Sequence, residues 1–251
     1  MTPRALILRA PGLNRDEDAA TAIGLAGGAP TLLHVNRLVE SPALLDDYGI
    51  LIVPGGFSYG DHLGAGRLLA IDLADRLADA IAHFVDRGRA VIGICNGFQA
   101  LVKAGILPGG APATLTDNAS RRFECRWVTL EAPPGASQLT RGLTRRMQVP
   151  VAHGEGQFIA SDADALLRAG QVALRYVRED GGQASYPANP NGSAGDIAGV
   201  CNAQGNVLGL MPHPENAIFA QQHPRWTREP PRAEGDGLAL FRNAVRYAQS
   251  L

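Results

Sequence analysis

The chain has 251 residues, of which 45% are hydrophobic, and its net charge of −1 gives no electrostatic basis for a nucleic acid or an acidic membrane as partner. Three cysteines are an odd number, which excludes a disulfide framework and fits a reducing compartment. The first apolar run is broken at Arg9, too early for a signal peptide, and no run is long enough to span a membrane. We expect a cytoplasmic protein with one α/β domain over residues 1–251.

The first part of the chain alternates short apolar runs with helical patterns. Buried strands are predicted at 5–8, 31–35 and 49–53. Between the first two strands, Asn14 is the predicted N-cap of a helix that ends near Gly27 and has acidic residues in its first turn. This alternation predicts a doubly wound, mostly parallel sheet, in which ligands bind beyond the carboxyl ends of the strands.

A long amphipathic pattern then covers residues 63–85 and predicts one helix. Its predicted apolar side consists of Leu68, Leu69, Leu73, Leu77 and Ile81. We expect His83, on the same helix, to be structural or exposed rather than catalytic.

Residues 90–94 form an apolar run that predicts a buried strand, and helical spacing of apolar residues follows as far as Val102. Between them, residues 93–97 read G-x-C-x-G, a cysteine version of the nucleophile elbow. Glycines suit such a turn because the backbones approach too closely for a Cβ atom. The pattern predicts that Cys95 stands exposed above the sheet at a helix N-terminus, where amide dipoles favour a reactive thiolate. The alternative is a buried structural cysteine.

The third predicted strand ends at a glycine loop over residues 54–61. This loop and Cys95 both follow carboxyl ends of parallel strands, so they can face one another. The N–H groups of Gly55 and Gly56 would then point toward the elbow as an oxyanion hole. The alternative is an ordinary Pro-Gly turn.

The second half of the chain has a different character, with short alternating strands in place of strand–helix units. Strands are predicted within 121–130 and 148–158, and at 172–177, 197–201 and 207–210. We expect them to form an antiparallel or mixed extension of the sheet rather than a separate domain. Residues 219–236 are polar and proline-rich, which predicts a flexible surface loop, and residues 237–251 predict a closing helix.

Two histidines are candidates for the base that a cysteine nucleophile needs. His213 follows a predicted strand and is flanked by prolines that favour extended backbone, so Glu215 can point the same way and orient its ring. That is the nucleophile–base–orienter relation of a catalytic triad. His153 is the competing base, with Glu155 two residues further on. Spacing alone does not decide between them.

With these residues the sequence resembles the class I, or triad, glutamine amidotransferases, which have a flavodoxin-like sheet. Within that class it resembles the glutaminase subunits of phosphoribosylformylglycinamidine synthase. The matching stretches run along most of the chain and lie at 54–61, 93–99, 122–127, 153–156, 189–193, 197–199 and 211–215.

The resemblance implies a role for each matching residue. Cys95 is implied as the nucleophile that attacks the glutamine side-chain amide, His213 as base and then acid, and Glu215 as the orienter. The backbone N–H groups of Gly56 and Asn96 are implied as the oxyanion hole. The implied substrate pocket contains five residues, namely Gly55, Phe57, Gln99, His153 and Glu155.

The resemblance also implies partners. Ammonia would pass to a synthetase subunit that binds ATP and Mg and converts formylglycinamide ribonucleotide to formylglycinamidine ribonucleotide in purine biosynthesis, and a small third subunit would complete the complex. We expect no metal or cofactor in this chain, which lacks a P-loop sequence. The alternatives are an amidotransferase subunit of another pathway and a degenerate, regulatory amidotransferase domain. A cysteine peptidase or glyoxalase-like protein is disfavoured, because Asn96 stands where those proteins usually have histidine.

Overall fold

The computed structural model of the chain describes residues 2–110 and 112–251. Its strands are β1 (Arg4–Arg9), β2 (Ala29–His34), β3 (Ile50–Val53), β4 (Ala90–Ile94), β5 (Ala113–Thr116), β6 (Glu124–Glu131), β7 (Met147–His153), β8 (Gln157–Ala160), β9 (Val172–Val177), β10 (Ile197–Cys201) and β11 (Val207–Leu210). Its helices are α1 (Asp16–Leu25), α2 (Val35–Glu40), α3 (Arg67–Ile71), α4 (Ala78–Asp86), α5 (Asn96–Lys103), α6 (Ala163–Arg168) and α7 (Leu238–Gln249).

One half of the central sheet is parallel. Strands β2, β1, β3, β4 and β11 lie in this order and pair in parallel. This is the flavodoxin-like order, with β11 as the fifth strand. Every residue of β3 and β4 is buried, as expected where helices cover both faces of a parallel sheet. The predicted doubly wound fold is therefore confirmed.

The other half of the sheet is antiparallel. Strands β10, β9, β6 and β7 continue the sheet from β11, and each neighbouring pair is antiparallel. This confirms the predicted extension. The small antiparallel sheet of β5 and β8 was not predicted from the sequence.

The register of the parallel strands brings three chain segments to one edge of the sheet. Val53 at the end of β3 pairs with Gly93, and Ile94 at the end of β4 pairs with Leu210 at the end of β11. The segments that begin at Pro54, Cys95 and Met211 therefore leave the sheet side by side. The strand order of the sheet therefore brings these three segments together at one edge, where a site can form.

The single helix predicted over 63–85 is wrong. The chain instead forms α3, a π-helical turn (Asp72–Arg76) and α4. Leu63, Gly64 and Gly66 have positive φ and delay the start of α3. The predicted apolar side is nonetheless largely buried, since Leu69, Leu73, Leu77 and Ile81 lie in the core.

Two boundaries predicted near the first strands also differ. Helix α1 begins at Asp16 with Arg15 at its N-cap position and no side-chain cap. Asn14, the predicted cap, instead donates its backbone N–H to the carbonyl of Gly55 at 3.4 Å. Val35, predicted in the second strand, is the first residue of α2. In the first case a tertiary contact replaces the local capping interaction.

Residues 219–236 contact the antiparallel half of the sheet through polar side chains. His223 is buried, and its Nε2 atom lies 2.5 Å from Oε1 of Gln148 on β7. Arg232 forms ion pairs with Glu229 at 2.7 Å and Asp236 at 2.8 Å. The flexibility of this segment stays a prediction.

Candidate active site

Cys95 occupies a strained backbone position at the turn from β4 to α5. Its φ of 49° and ψ of −105° are unusual for a residue with a side chain. The flanking glycines are sterically required: a Cβ atom at Gly97 would lie 1.9 Å from the carbonyl oxygen of Val53, and one at Gly93 would lie 2.5 Å from Leu101. Close packing of β3, β4 and α5 thus produces the elbow.

The expectation that Cys95 stands exposed is wrong. The residue is only 5% exposed. Its Sγ atom lies 3.8 Å from the carbonyl oxygen of Ala152 on β7, so the antiparallel extension helps to cover it. A Cβ atom at Gly55 would lie 3.5 Å from Cβ of Cys95, which places the glycine loop against it as well. The thiol is therefore enclosed at the N-terminus of α5 rather than raised into solvent.

The ring of His213 also lies next to Gly55, on the side of the glycine that faces Cys95. A Cβ atom at Gly55 would lie 2.8 Å from Cε1 of His213, so this glycine contacts both the ring and Cys95. The backbone N–H of His213 donates to the carbonyl of Pro150 at 2.8 Å, which ties the segment after β11 to β7. The site thus lies between the segments that follow the parallel strands and strand β7 of the antiparallel half.

Glu215 orients the His213 ring. Its Oε1 atom lies 2.6 Å from Nδ1 of His213, and both side chains are almost fully buried. Burial by itself lowers the pKa of His213, but the negative charges of Glu215 and Cys95 outweigh it and raise the pKa well above its usual value. Protonation of the His213 ring beside the Glu215 carboxylate is therefore favoured.

The glycine loop presents one unused backbone donor. Asn14 donates to the carbonyl of Gly55, and Phe57 donates to the carbonyl of Gly12 at 3.0 Å. Since the C=O and N–H of a trans peptide point in opposite directions, the N–H of Gly56 points away from Asn14. It has no hydrogen-bond partner among the described residues. The N–H of Asn96, in the first turn of α5, is likewise without an intrahelical partner.

His153 is held in a different way, by Asn118. The Asn118 amide donates to the carbonyls of Arg122 and His153, and its Oδ1 accepts the N–H of Gly156 at 2.9 Å. Because Oδ1 also lies 3.0 Å from Nδ1 of His153, that ring nitrogen carries the proton. Its Nε2 is a buried acceptor with no partner in the described part of the chain. Burial, followed by the charge of His213, lowers the pKa of His153 to about 3.

The contacts distinguish the two histidines. His213 contacts the carboxylate of Glu215 and lies beside Cys95. His153 is neutral, and its ring contacts the side-chain amide of Asn118. Glu155, two residues after His153, instead accepts the N–H of Ala65 and lies 3.6 Å from Nζ of Lys103. The geometry favours His213 as the base. Nothing local in the sequence distinguished Asn118, because it lies 35 residues from His153.

The remaining predicted pocket residues differ in their surroundings. Phe57 is 48% exposed beside the glycine loop. Gln99 is buried, and both ends of its amide are engaged: Nε2 donates to the carbonyl of Glu155 at 2.5 Å, and Oε1 accepts from Asn96 at 3.1 Å. Gln99 therefore joins the elbow helix to the 153–156 loop.

The described residues offer neither a metal cluster nor a membrane-spanning helix. Across 2–110 and 112–251, no group of three or more His, Cys, Asp or Glu side chains could hold a metal ion. In the same part of the chain, no helix has the length and apolarity to cross a membrane.

Comparison with known proteins agrees with this geometry. Residues 2–248 match the family model of the CobB/CobQ-like glutamine amidotransferase domain. The chain is 46% identical to the phosphoribosylformylglycinamidine synthase subunit PurQ of Dehalococcoides mccartyi, over 99% of this chain and 98% of the relative. It is 47% identical to the subunit of the same name from Treponema denticola, over 88% and 91% of the two chains.

A solved structure is similar over the whole chain. It is described as PurLQS from Thermotoga maritima and aligns with a TM-score of 0.77 and 34% identity, over 98% of this chain and 99% of the other. The chain thus belongs to the CobB/CobQ-like glutamine amidotransferase family and, within it, to the PurQ subunits of phosphoribosylformylglycinamidine synthase.

Proposed function

We propose that the chain hydrolyses the side-chain amide of glutamine through Cys95, His213 and Glu215. The observation that carries this proposal is the arrangement of a buried carboxylate, an imidazole and a cysteine at a strained elbow, with the 2.6 Å contact between His213 and Glu215. The family membership of the chain supports glutamine as substrate.

The proposed reaction has two halves. The Cys95 thiolate attacks the amide carbon, and the negative oxygen that develops is bound by the N–H groups of Gly56 and Asn96. The intermediate collapses when the His213 imidazolium donates its proton to the departing nitrogen, which leaves as ammonia, and a γ-glutamyl thioester remains on Cys95. His213 then takes a proton from water as the water attacks the thioester. The thioester carbon–sulfur bond then breaks, glutamate leaves, and the Cys95 thiolate and the His213 imidazolium are restored.

Among the proposed pocket residues, His153 contacts bound glutamine directly. Its unprotonated Nε2 is buried and offers an acceptor to an N–H group of bound glutamine. Gly55 lets the substrate approach because no side chain fills the space beside Cys95, and Phe57 lines the entrance. Gln99 and Glu155 act through the loops that they hold.

We propose that the ammonia passes to a synthetase subunit, which with a small third subunit completes a cytoplasmic complex. There ATP and Mg would convert formylglycinamide ribonucleotide to formylglycinamidine ribonucleotide. The names of the relatives, PurQ subunits of phosphoribosylformylglycinamidine synthase, and the PurLQS structure support this partnership.

The test uses the full chain co-expressed with the synthetase and small subunit of the same organism. The Cys95→Ala complex should lose glutamine-dependent product but keep ammonia-dependent product, because only the ammonia supply is removed. Cys125→Ala, at an exposed free cysteine, is the matched control. Glutamine-dependent product in the Cys95→Ala complex would overturn the assignment. Failure to co-purify, or activity only with another acceptor, would point to a different pathway.

A further inference from the structure

The side chain of Asn96 is buried and fully engaged, although the reaction requires only its backbone. The residue is 1% exposed. Its Oδ1 accepts the backbone N–H of Ser58 at 3.1 Å, and its Nδ2 donates to Oδ1 of Asp61 at 2.8 Å and to Gln99. An amide with these partners has one orientation only, because the N–H of Ser58 needs an acceptor and the Asp61 carboxylate needs a donor.

These contacts fix one end of the glycine loop to the elbow helix. Ser58 is two residues beyond Gly56, and Asn96 is the residue after the nucleophile. The other side of the loop is held by the turn before α1, through the bonds from Asn14 to Gly55 and from Phe57 to Gly12. Space on that side is limited, since a Cβ atom at Gly12 would lie 2.1 Å from the carbonyl oxygen of Phe57.

Asp61 holds the Asn96 amide in place and is itself held. The same Oδ1 atom that accepts from Asn96 also accepts the N–H of Gly66 at 3.2 Å. Asp61 has a positive φ, as do its neighbours Tyr59 and Leu63. The segment is thus kept in a costly backbone conformation that aims the carboxylate at Asn96.

We propose that the Asn96 side chain, held by Asp61, is a positioning group that sets the distance between the two oxyanion donors. Asn96 carries one donor on its own backbone, and through Ser58 it places the loop that carries the other donor on Gly56. This inference rests on the proposed function. It makes the oxyanion hole a preformed structure whose position depends on one side-chain amide.

The test compares Asn96→Ala, Asp61→Ala and Asp61→Asn in the full chain, within the complex co-expressed with the synthetase and small subunit. Asn96→Ala keeps its backbone N–H but frees Ser58. Asp61→Ala removes the acceptor, whereas Asp61→Asn keeps an oxygen at Oδ1 for both Asn96 and Gly66. The first readout is glutamine hydrolysis. The second is alkylation of Cys95 by iodoacetamide, in which sulfur displaces iodide and no oxyanion forms.

Both alanine variants should lose about tenfold to a hundredfold in kcat, by comparison with the loss of a complete oxyanion donor, with little change in KM. Alkylation of Cys95 should keep its wild-type rate and pH dependence, and Asp61→Asn should restore kcat. A defect that is only structural would change the rate of alkylation as well, in either direction, because Cys95 is buried in the intact elbow.

Three results would overturn the inference. The first is wild-type kcat in both alanine variants. The second is a loss of kcat together with a changed alkylation rate. The third is an Asp61→Asn variant as slow as Asp61→Ala. If Asn96→Ala does not fold, the two variants at the half-buried Asp61 decide by themselves. A wild-type complex with no glutamine hydrolysis would instead overturn the proposed function.

Discussion

Nδ1 of His213 lies 2.6 Å from Oε1 of Glu215, and neither side chain has appreciable contact with solvent. A buried carboxylate next to an imidazole strongly favours the protonated ring, since an uncompensated charge in this position would be costly. The other oxygen of Glu215 has no hydrogen-bond partner in the described residues. The Glu215 side chain therefore acts chiefly on the charge and orientation of His213.

The first prediction concerns Glu215→Gln. The charge of Glu215 raises the pKa of His213, so its removal lowers that pKa and leaves less imidazolium to stabilise the Cys95 thiolate near neutral pH. We expect kcat to fall by about a hundredfold to ten-thousandfold, by analogy with the orienting carboxylate of other triads. Iodoacetamide alkylation of Cys95 at pH 7 should slow as well. Glu40→Gln, at an exposed ion pair, is the control. Unchanged alkylation would contradict the role of Glu215.

The second prediction separates the two histidines. His213→Ala removes the proposed base and should reduce kcat by about a hundredfold or more. His153→Asn keeps a donor for Asn118 but removes the acceptor Nε2, so its main effect should be a higher KM for glutamine. The control is His83→Ala, since the His83 side chain is 61% exposed. Steady-state kinetics on the complex measure both parameters. A loss of kcat at His153 alone would reverse the assignment of the base.

The third prediction is a pH dependence of stability that comes from His153. Its pKa is lowered from 6.5 to about 3 in the folded chain, so between these values the unfolded state binds a proton that the folded state does not. Stability is therefore lost as pH falls below 6.5, by about 1.4 kcal/mol per pH unit for one proton. His213 has a raised pKa and acts in the opposite direction, above pH 6.5.

Urea unfolding of the wild type and of His153→Asn between about pH 4.5 and 6.5 tests this prediction. The quantity compared is the free energy of unfolding obtained by linear extrapolation. The variant should show a shallower loss of stability toward acid than the wild type. Parallel curves would mean that His153 is protonated in the folded chain.

The fourth prediction concerns the elbow glycines. A Cβ atom at Gly97 would lie 1.9 Å from the carbonyl oxygen of Val53, a contact with rigid backbone. Gly97→Ala should therefore destabilise the chain by about 3 kcal/mol or more, at the upper end of overpacking effects. Gly24→Ala should not destabilise it, because a Cβ atom at Gly24 would have nothing within 4 Å. Denaturant unfolding compares the two, and a Gly97→Ala chain as stable as Gly24→Ala would contradict the packing argument.

Several features could be predicted because their causes are local in the sequence. Strands β9, β10 and β11 have the bounds that their apolar runs indicated. The elbow was recognisable because glycines on both sides of one cysteine serve a strand-to-helix turn. The contact between His213 and Glu215 spans only two residues, and Pro214 restricts the backbone between them.

Other features could not be predicted, because residues far apart in the sequence create them. The apolar spacing over 63–85 indicated one helix, but the same spacing persists across a π-helical turn. Contacts with other parts of the chain support this turn, including the 2.6 Å hydrogen bond from Tyr59 to Asp72. Cys95 is buried because β7 and the glycine loop cover it, which depends on the strand order of the sheet.

The sequence by itself determined the fold class, the glycine-flanked turn at Cys95 and the contact between His213 and Glu215. Each depends on the alternation of patterns along the chain or on neighbours within a few residues. Only the tertiary structure decided that His153 is held neutral by Asn118 and that Asn96 joins Ser58 to Asp61. Those hydrogen bonds span more than 30 residues, and their partners meet only through the pairing of the strands. The periodicity of apolar residues along the chain does not indicate which strands pair.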